Sequence, residues 1–135
     1  MGGGVAATRK PLILVVDDTE DARDLCAEYL QFHDFLVETA HDGQEAIRKA
    51  LAVRPDLILM DLSMPIMDGW QATRWLKANE QTCAIPVVAF TAHAMVISQM
   101  SALEAGCDEV VTKPVLPNDL VRVLRQVLAR TGASN

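Results

Sequence analysis

Residues 56–69 read DLILMDLSMPIMDG, and the fold turns on this stretch. Leu57, Ile58, Leu59 and Met60 form an unbroken apolar run, which suits a strand buried on both faces of a sheet. The run ends on Asp61, and Pro65 and Gly69 follow within eight residues. A carboxylate at the end of a buried strand, followed at once by a loop, stands in the crevice where open α/β sheets bind ligands. The plainer reading is a turn cap, since aspartates at strand ends often bond to nearby backbone. The flanking segments decide between the two.

Outward from this stretch the chain alternates. On its N-terminal side, residues 12–16 (LILVV) form a first apolar run that ends in Asp17 and Asp18. A helical pattern over 20–32 places Ala22, Leu25, Cys26, Tyr29 and Leu30 on one stripe. Residues 35–40 read as a second, less apolar strand suited to a sheet edge. A turn at His41, Asp42 and Gly43 leads into a helix over 44–53, with Ala46, Ile47, Ala50 and Leu51 at helical spacing. On the C-terminal side a helix is predicted over 68–79, a strand over 86–90, and a helix over 94–105 stopped by Gly106. A short strand at 109–112 precedes a last helix that starts at Pro117 and carries Leu120, Val123, Leu124, Val127 and Leu128 on one face. Five strands alternating with five helices predict a parallel sheet with right-handed crossovers, a three-layer α/β sandwich. By analogy the strand order is the flavodoxin-like 2-1-3-4-5. The expected organisation is a flexible segment at 1–10, one domain at 11–130 and a flexible tail at 131–135.

Composition narrows the function classes. A chain of 135 residues suits one domain, and a hydrophobic fraction of 50% with only 7 glycines and 6 prolines marks a folded one. Twelve basic against 18 acidic residues give a net charge of −6, which argues against a nucleic-acid partner. Cys26, Cys83 and Cys107 are widely spaced, with no CxxC pair for zinc and no disulfide framework; a reduced, cytoplasmic setting fits. Residues 81–103 lack Asp, Glu, Lys and Arg, but Pro86, His93 and several hydroxyl and amide residues make a buried strand running into an amphipathic helix the simpler reading. No membrane span is expected.

The polar residues at the predicted strand ends carry the chemistry. Strand one delivers Asp17 and Asp18, strand three Asp61, strand four Thr91, and strand five Lys113 followed by Pro114. In a parallel sheet these ends point the same way, so the groups converge in one crevice. Three adjacent carboxylates repel one another unless a cation sits among them. Oxygen ligands with some retained water suit Mg²⁺. Lys113 adds a mobile charge and Thr91 a hydroxyl, which makes a site for a doubly charged, oxygen-rich group such as phosphoryl. Each signal alone is more often a solvated strand end; their coincidence on four strands carries the argument.

The set DD (17–18), DLILMDLSMPIMDG (56–69), PVVAFTA (86–92) and KP (113–114) resembles the receiver domain of bacterial two-component response regulators, over about residues 11–130. The resemblance implies that Asp61 is the phosphoacceptor, taking a phosphoryl group from a phosphohistidine on a sensor histidine kinase or a histidine phosphotransfer protein. It implies that Asp18 and Asp61 bind Mg²⁺ directly with the backbone carbonyl of Ser63, while Asp17 acts through water. Lys113 would pair with the phosphoryl oxygens, Thr91 would turn inward to bond one of them, and the Lys113–Pro114 bond would be cis. Such a protein is a signalling phosphoacceptor that catalyses its own phosphorylation and dephosphorylation. Its donor would dock on the first helix and the loop after strand five, here Leu25, Cys26, Tyr29, Pro114 and Val115.

Departures from the family pattern stand beside this. Receivers usually carry Tyr or Phe three residues before the lysine; here that residue is Val110, which can at most repack when Thr91 moves. Met95, Val96, Ile97 and Met100 cannot all face the core of one helix, so that helix is either an ordinary apolar one or a surface for a partner or a homodimer. Ser63 and His93 flank the phosphate position and would tune its lifetime. Trp70 and Trp75 cannot share a helix face, so one of them is expected at the surface, with Ala72 and Leu76 in the core. His33, His41 and His93 lack metal-ligand spacing and read as structural or solvated. With the last helix ending near Arg130, the expectation is a stand-alone receiver. It would signal by binding a downstream protein target or by passing phosphate along a relay. A phosphate-independent binding module of the same fold is the alternative. A flavodoxin-like cofactor binder is a further one, disfavoured by the acidic cluster and by the lack of a Gly- and hydroxyl-rich loop after strand one.

Overall fold

The computed structural model describes residues 9–62, 69–91, 103–112 and 116–131, with Thr91 described by its backbone. Its elements are β1 (Leu12–Val16), α1 (Glu20–Phe32), β2 (Leu36–Ala40), α2 (Gly43–Val53), β3 (Leu57–Asp61), α3 (Gly69–Ala78), β4 (Val87–Thr91), β5 (Glu109–Thr112) and α4 (Pro117–Thr131). The strands form one parallel sheet in the order β2-β1-β3-β4-β5, as expected. Residues 103–105 are helical, and Gly106 follows at φ +111°, a backbone that glycine adopts without strain. The rest of the helix predicted over 94–105 lies outside the described residues.

Side-chain parity divides the core in two. The even-numbered residues Leu14, Val16, Ile58 and Met60 pack with Ala46, Ala50, Ala72 and Leu76 of α2 and α3. The odd-numbered Ile13, Val15, Leu57 and Leu59 pack with Leu30 of α1 and Leu120, Leu124, Val127 and Leu128 of α4. A strand covered on both faces has no solvent side, so β1 is apolar at every position and β3 at every position but its last. All five β3 residues are buried, Asp61 included. β2 is an edge strand with an exposed Leu36 and a half-buried middle, which accounts for its weaker apolar signal.

Two helix faces differ in detail from the periodicity. On α1 only Leu30 is buried, while Ala22 and Leu25 are exposed. On α4, Val121 joins the core and Val123 is only partly buried. On α3, Ala72 and Leu76 are buried and Trp70 is partly buried against the core, while Trp75 is 39% exposed, so the surface tryptophan is Trp75.

Candidate functional site

β1 and β3 are neighbours in register, with Val16 opposite Met60. The next residue on each chain is therefore a carboxylate: Asp17 beyond β1, Asp61 as the last residue of β3. Parallel strands lie about 4.8 Å apart, which alone brings the two acids within reach of one ion. Asp17, Asp18 and Asp61 each offer an oxygen, and these oxygens lie within 4.8 Å of one another. Asp17 and Asp61 are buried and Asp18 is exposed, so the cluster has a closed floor and an open rim. An all-oxygen donor set with one side toward water fits Mg²⁺, which demands hard ligands and keeps part of its hydration shell.

The loop between β1 and α1 is pinned. The Asp17 N–H donates to the Ala40 carbonyl at 3.1 Å, which extends the sheet ladder by one bond. The Thr19 N–H donates to Asp17 Oδ1 at 2.9 Å, an aspartate turn two residues long. Arg23 Nη1 donates to the Asp17 carbonyl at 2.9 Å. On the other side, Gly69 opens α3 so close to β3 that an added Cβ would stand 2.5 Å from the Asp61 carbonyl oxygen. The sequence reading found the three carboxylates but not these supports. They are contacts between segments, and no local pattern announces them.

A cavity of about 390 Å³ opens beside the carboxylates, lined by Asp17 and Asp61 and by apolar groups that include Leu25, Cys26, Tyr29, Leu59 and Phe90. It accounts for the α1 stripe: Ala22 and Leu25 are exposed along this groove, while Cys26 and Tyr29 line it and also pack against the core. Tyr29 donates its hydroxyl to Asn118 Oδ1 at 2.9 Å, which ties α1 to the first turn of α4 over this groove.

The remaining predicted site residues are placed only in part. Thr91 ends β4 opposite Thr112 of β5, so its backbone stands at the same sheet edge as Asp61. Ser63, Lys113, the Lys113–Pro114 bond and His93 lie outside the described residues, as does the uncharged stretch 95–101 with Met95, Val96, Ile97 and Met100. Val110 is partly buried against the core on the α2–α3 side.

The response regulator receiver domain family matches residues 13–125 of this sequence. The chain belongs to that family. Among curated relatives, the receiver is 37% identical to the transcriptional regulatory protein PrrA of Mycobacterium leprae over 124 residues, 92% of this chain and 52% of that protein. It is 35% identical to the response regulator MprA of Mycobacterium ulcerans over 119 residues, 88% of this chain and 50% of the relative. The chain thus spans about half the length of the curated relatives it matches. Among solved structures, the Vibrio cholerae chemotaxis protein CheY4 superposes with a TM-score of 0.83 at 30% identity, covering 87% of this chain and 98% of that one. The receiver domain of a sensor histidine kinase from Pseudomonas aeruginosa, described with a magnesium ion coordinated in its active-site cleft, gives a TM-score of 0.83 at 32% identity over 89% of this chain and 98% of that one. Among the described residues of the receiver, no helix is long and apolar enough to cross a membrane.

Proposed function

We propose that this receiver accepts a phosphoryl group on Asp61 from a phosphohistidine, in a Mg²⁺-dependent reaction, and that a partner protein reads the phosphorylated state. The observation that carries the reading is the cluster itself: three carboxylates from two adjacent strand ends, their oxygens within 4.8 Å, with the phosphoacceptor candidate on the buried floor.

The donor is a sensor histidine kinase or a histidine phosphotransfer protein. A carboxylate oxygen of Asp61 attacks phosphorus in line; the P–O bond forms as the P–N bond to the donor imidazole breaks, and the imidazole nitrogen keeps the electron pair and takes a proton. In dephosphorylation, water attacks the phosphorus and gives up a proton as the P–O bond to Asp61 breaks, which releases inorganic phosphate and regenerates the carboxylate. Such a loose transition state asks the protein mainly for positioning and charge neutralisation. Bound Mg²⁺ would supply the neutralisation, held by Asp18, Asp61 and the Ser63 carbonyl, with Asp17 acting through water. Lys113 neutralises the phosphoryl oxygens from the other side, and Thr91 donates its hydroxyl to one of them. Without these cations, a group of about −2 charge would stand against Asp17 and Asp18. Val110, which stands where receivers usually carry an aromatic residue, can at most repack when Thr91 turns inward.

The test is phosphorylation by acetyl phosphate with and without Mg²⁺, read by intact mass and by a gel that retards phosphoproteins, with Asp61→Asn in parallel. A base-labile, Mg²⁺-dependent adduct that Asp61→Asn lacks is the expected result. A folded protein that acquires no adduct from acetyl phosphate or from any phosphohistidine donor would make the chain a phosphate-independent binding module.

A further inference from the structure

We propose that Arg23 is a positioning residue of the acidic cluster: its guanidinium fixes the peptide between Asp17 and Asp18, so that both side chains meet Asp61 ready for a cation. The inference rests on the Mg²⁺ reading given above and adds a residue outside the carboxylate set.

The geometry is a closed ring of contacts around the start of α1. Arg23 Nη1 donates to the Asp17 carbonyl at 2.9 Å, six residues back. The Arg23 N–H donates to the Thr19 carbonyl at 2.9 Å, the first bond of the helix. The Thr19 N–H in turn donates to Asp17 Oδ1 at 2.9 Å. Residues 17 and 18 lie beyond the paired length of β1, and the sheet ladder reaches Asp17 through its N–H, which donates to the Ala40 carbonyl. The carbonyl of Asp17 belongs to the peptide plane from which Asp18 departs. A charged, forked donor on that oxygen sets the plane, and with it the directions of two of the three acids. Supports of this kind behind metal ligands typically contribute 10- to 100-fold in affinity. Arg23 touches a ligand's main chain and not its carboxylate, so the lower end of that range applies.

A second role for the same side chain predicts the opposite sign, which makes the inference testable. As a mere positive charge near a cation site, Arg23 would repel Mg²⁺, and its removal would tighten binding. As a positioning group, its removal weakens binding. The experiment titrates Mg²⁺ alone into the full chain by calorimetry at fixed pH and ionic strength, for the wild type, Arg23→Gln, Arg23→Met and Arg23→Lys. The dissociation constant is expected to rise about tenfold in Arg23→Gln and Arg23→Met. Arg23→Lys, which keeps the charge and one donor, falls between them and the wild type. Melting temperatures are taken with and without Mg²⁺, since a ligand that binds only the folded state raises stability by an amount set by its affinity. That Mg²⁺-induced rise is expected to shrink in Arg23→Gln and Arg23→Met. Unchanged or tighter binding in both variants overturns the proposal. So does a lower melting temperature with a full Mg²⁺-induced rise, the mark of a merely structural residue. Asp18→Asn separates the two levels of the argument: if the wild type binds no better than Asp18→Asn, the metal reading itself has failed and Arg23 falls with it.

Discussion

At Gly69 an added methyl group would meet the Asp61 carbonyl at 2.5 Å, Leu62 Cδ2 at 2.9 Å and Leu62 Cα at 3.0 Å. Two of these three are backbone atoms, which cannot swing aside, so Gly69→Ala must push α3 away from β3 or displace Asp61. The expected cost is about 1–3 kcal/mol by urea unfolding, with slower labelling by acetyl phosphate; equal labelling rates at full occupancy of the fold would show that Asp61 had not moved. The three cysteines make a second prediction. Cys107 is buried in the α2–α3 core, and burial pushes its thiol up to about 11, so it stays protonated and sheltered near neutral pH. Cys83 is exposed and Cys26 half-buried. Iodoacetamide should therefore modify Cys83 first and Cys26 next, leaving Cys107 unmodified until the protein unfolds; early loss of the Cys107 peptide in a digest would contradict this. At this scale the acids were legible because each follows an apolar run. The grip of Arg23 and Gly69 on the strand ends was not, because a charged residue in a helix and a glycine after a loop look alike wherever they fold.

The first turn of α2 shows what an element contributes beyond its periodicity. Asp42 is its N-cap and accepts the Glu45 N–H at 2.8 Å, while Glu45 Oε1 reaches back to the His41 N–H at 2.7 Å and to the His41 ring at 2.6 Å. This is a variant of the reciprocal cap found at many helix starts, and Asp42→Ala is expected to cost about 1 kcal/mol. Burial works to raise the Glu45 carboxyl, but the His41 backbone N–H, its ring and Lys49 outweigh it and hold the group below its ordinary value of 4.5. A carboxyl depressed in the folded state adds stability above its unfolded value, and that stability fades as pH falls through the folded one. Glu45→Gln should therefore melt lower than the wild type at neutral pH, and the gap should close as the pH drops below 4.5; a gap independent of pH would assign the effect to packing. Helices α2, α3 and α4 were legible from apolar spacing because their apolar faces pack on the sheet. The α1 stripe was legible as apolar but not as to what it faces, since a core and a groove beside a crevice select the same side chains. The sheet order came from analogy, because periodicity along a strand says nothing of which strand lies beside it.

At the scale of the whole molecule, the described residues form two cores divided by one sheet, and this arrangement makes a quantitative expectation. Leu76 of α3 and Leu124 of α4 are both fully buried, one in each core. Each Leu→Ala change should remove about 2–5 kcal/mol, through lost transfer energy and the cavity left behind. The side chains share no cluster and lie on opposite faces of the sheet, so their effects should add to within about 0.5 kcal/mol. Unfolding should nevertheless stay a single transition, because β1, β3 and β4 supply residues to both cores and neither can melt while the other keeps those strands in place. Urea titrations of the two single variants and the double variant, all in the same stabilising osmolyte to keep the double variant folded, test both statements. A coupling energy well above that margin would mean that strain crosses the sheet. Two resolved transitions would mean that the α1–α4 side and the α2–α3 side fold as separate units. The carboxylates sit at the carboxyl ends of the strands the two cores share, so the first outcome would also predict that repacking on the α2–α3 side is felt at Asp61, measurable as a changed Mg²⁺ affinity in Leu76→Ala.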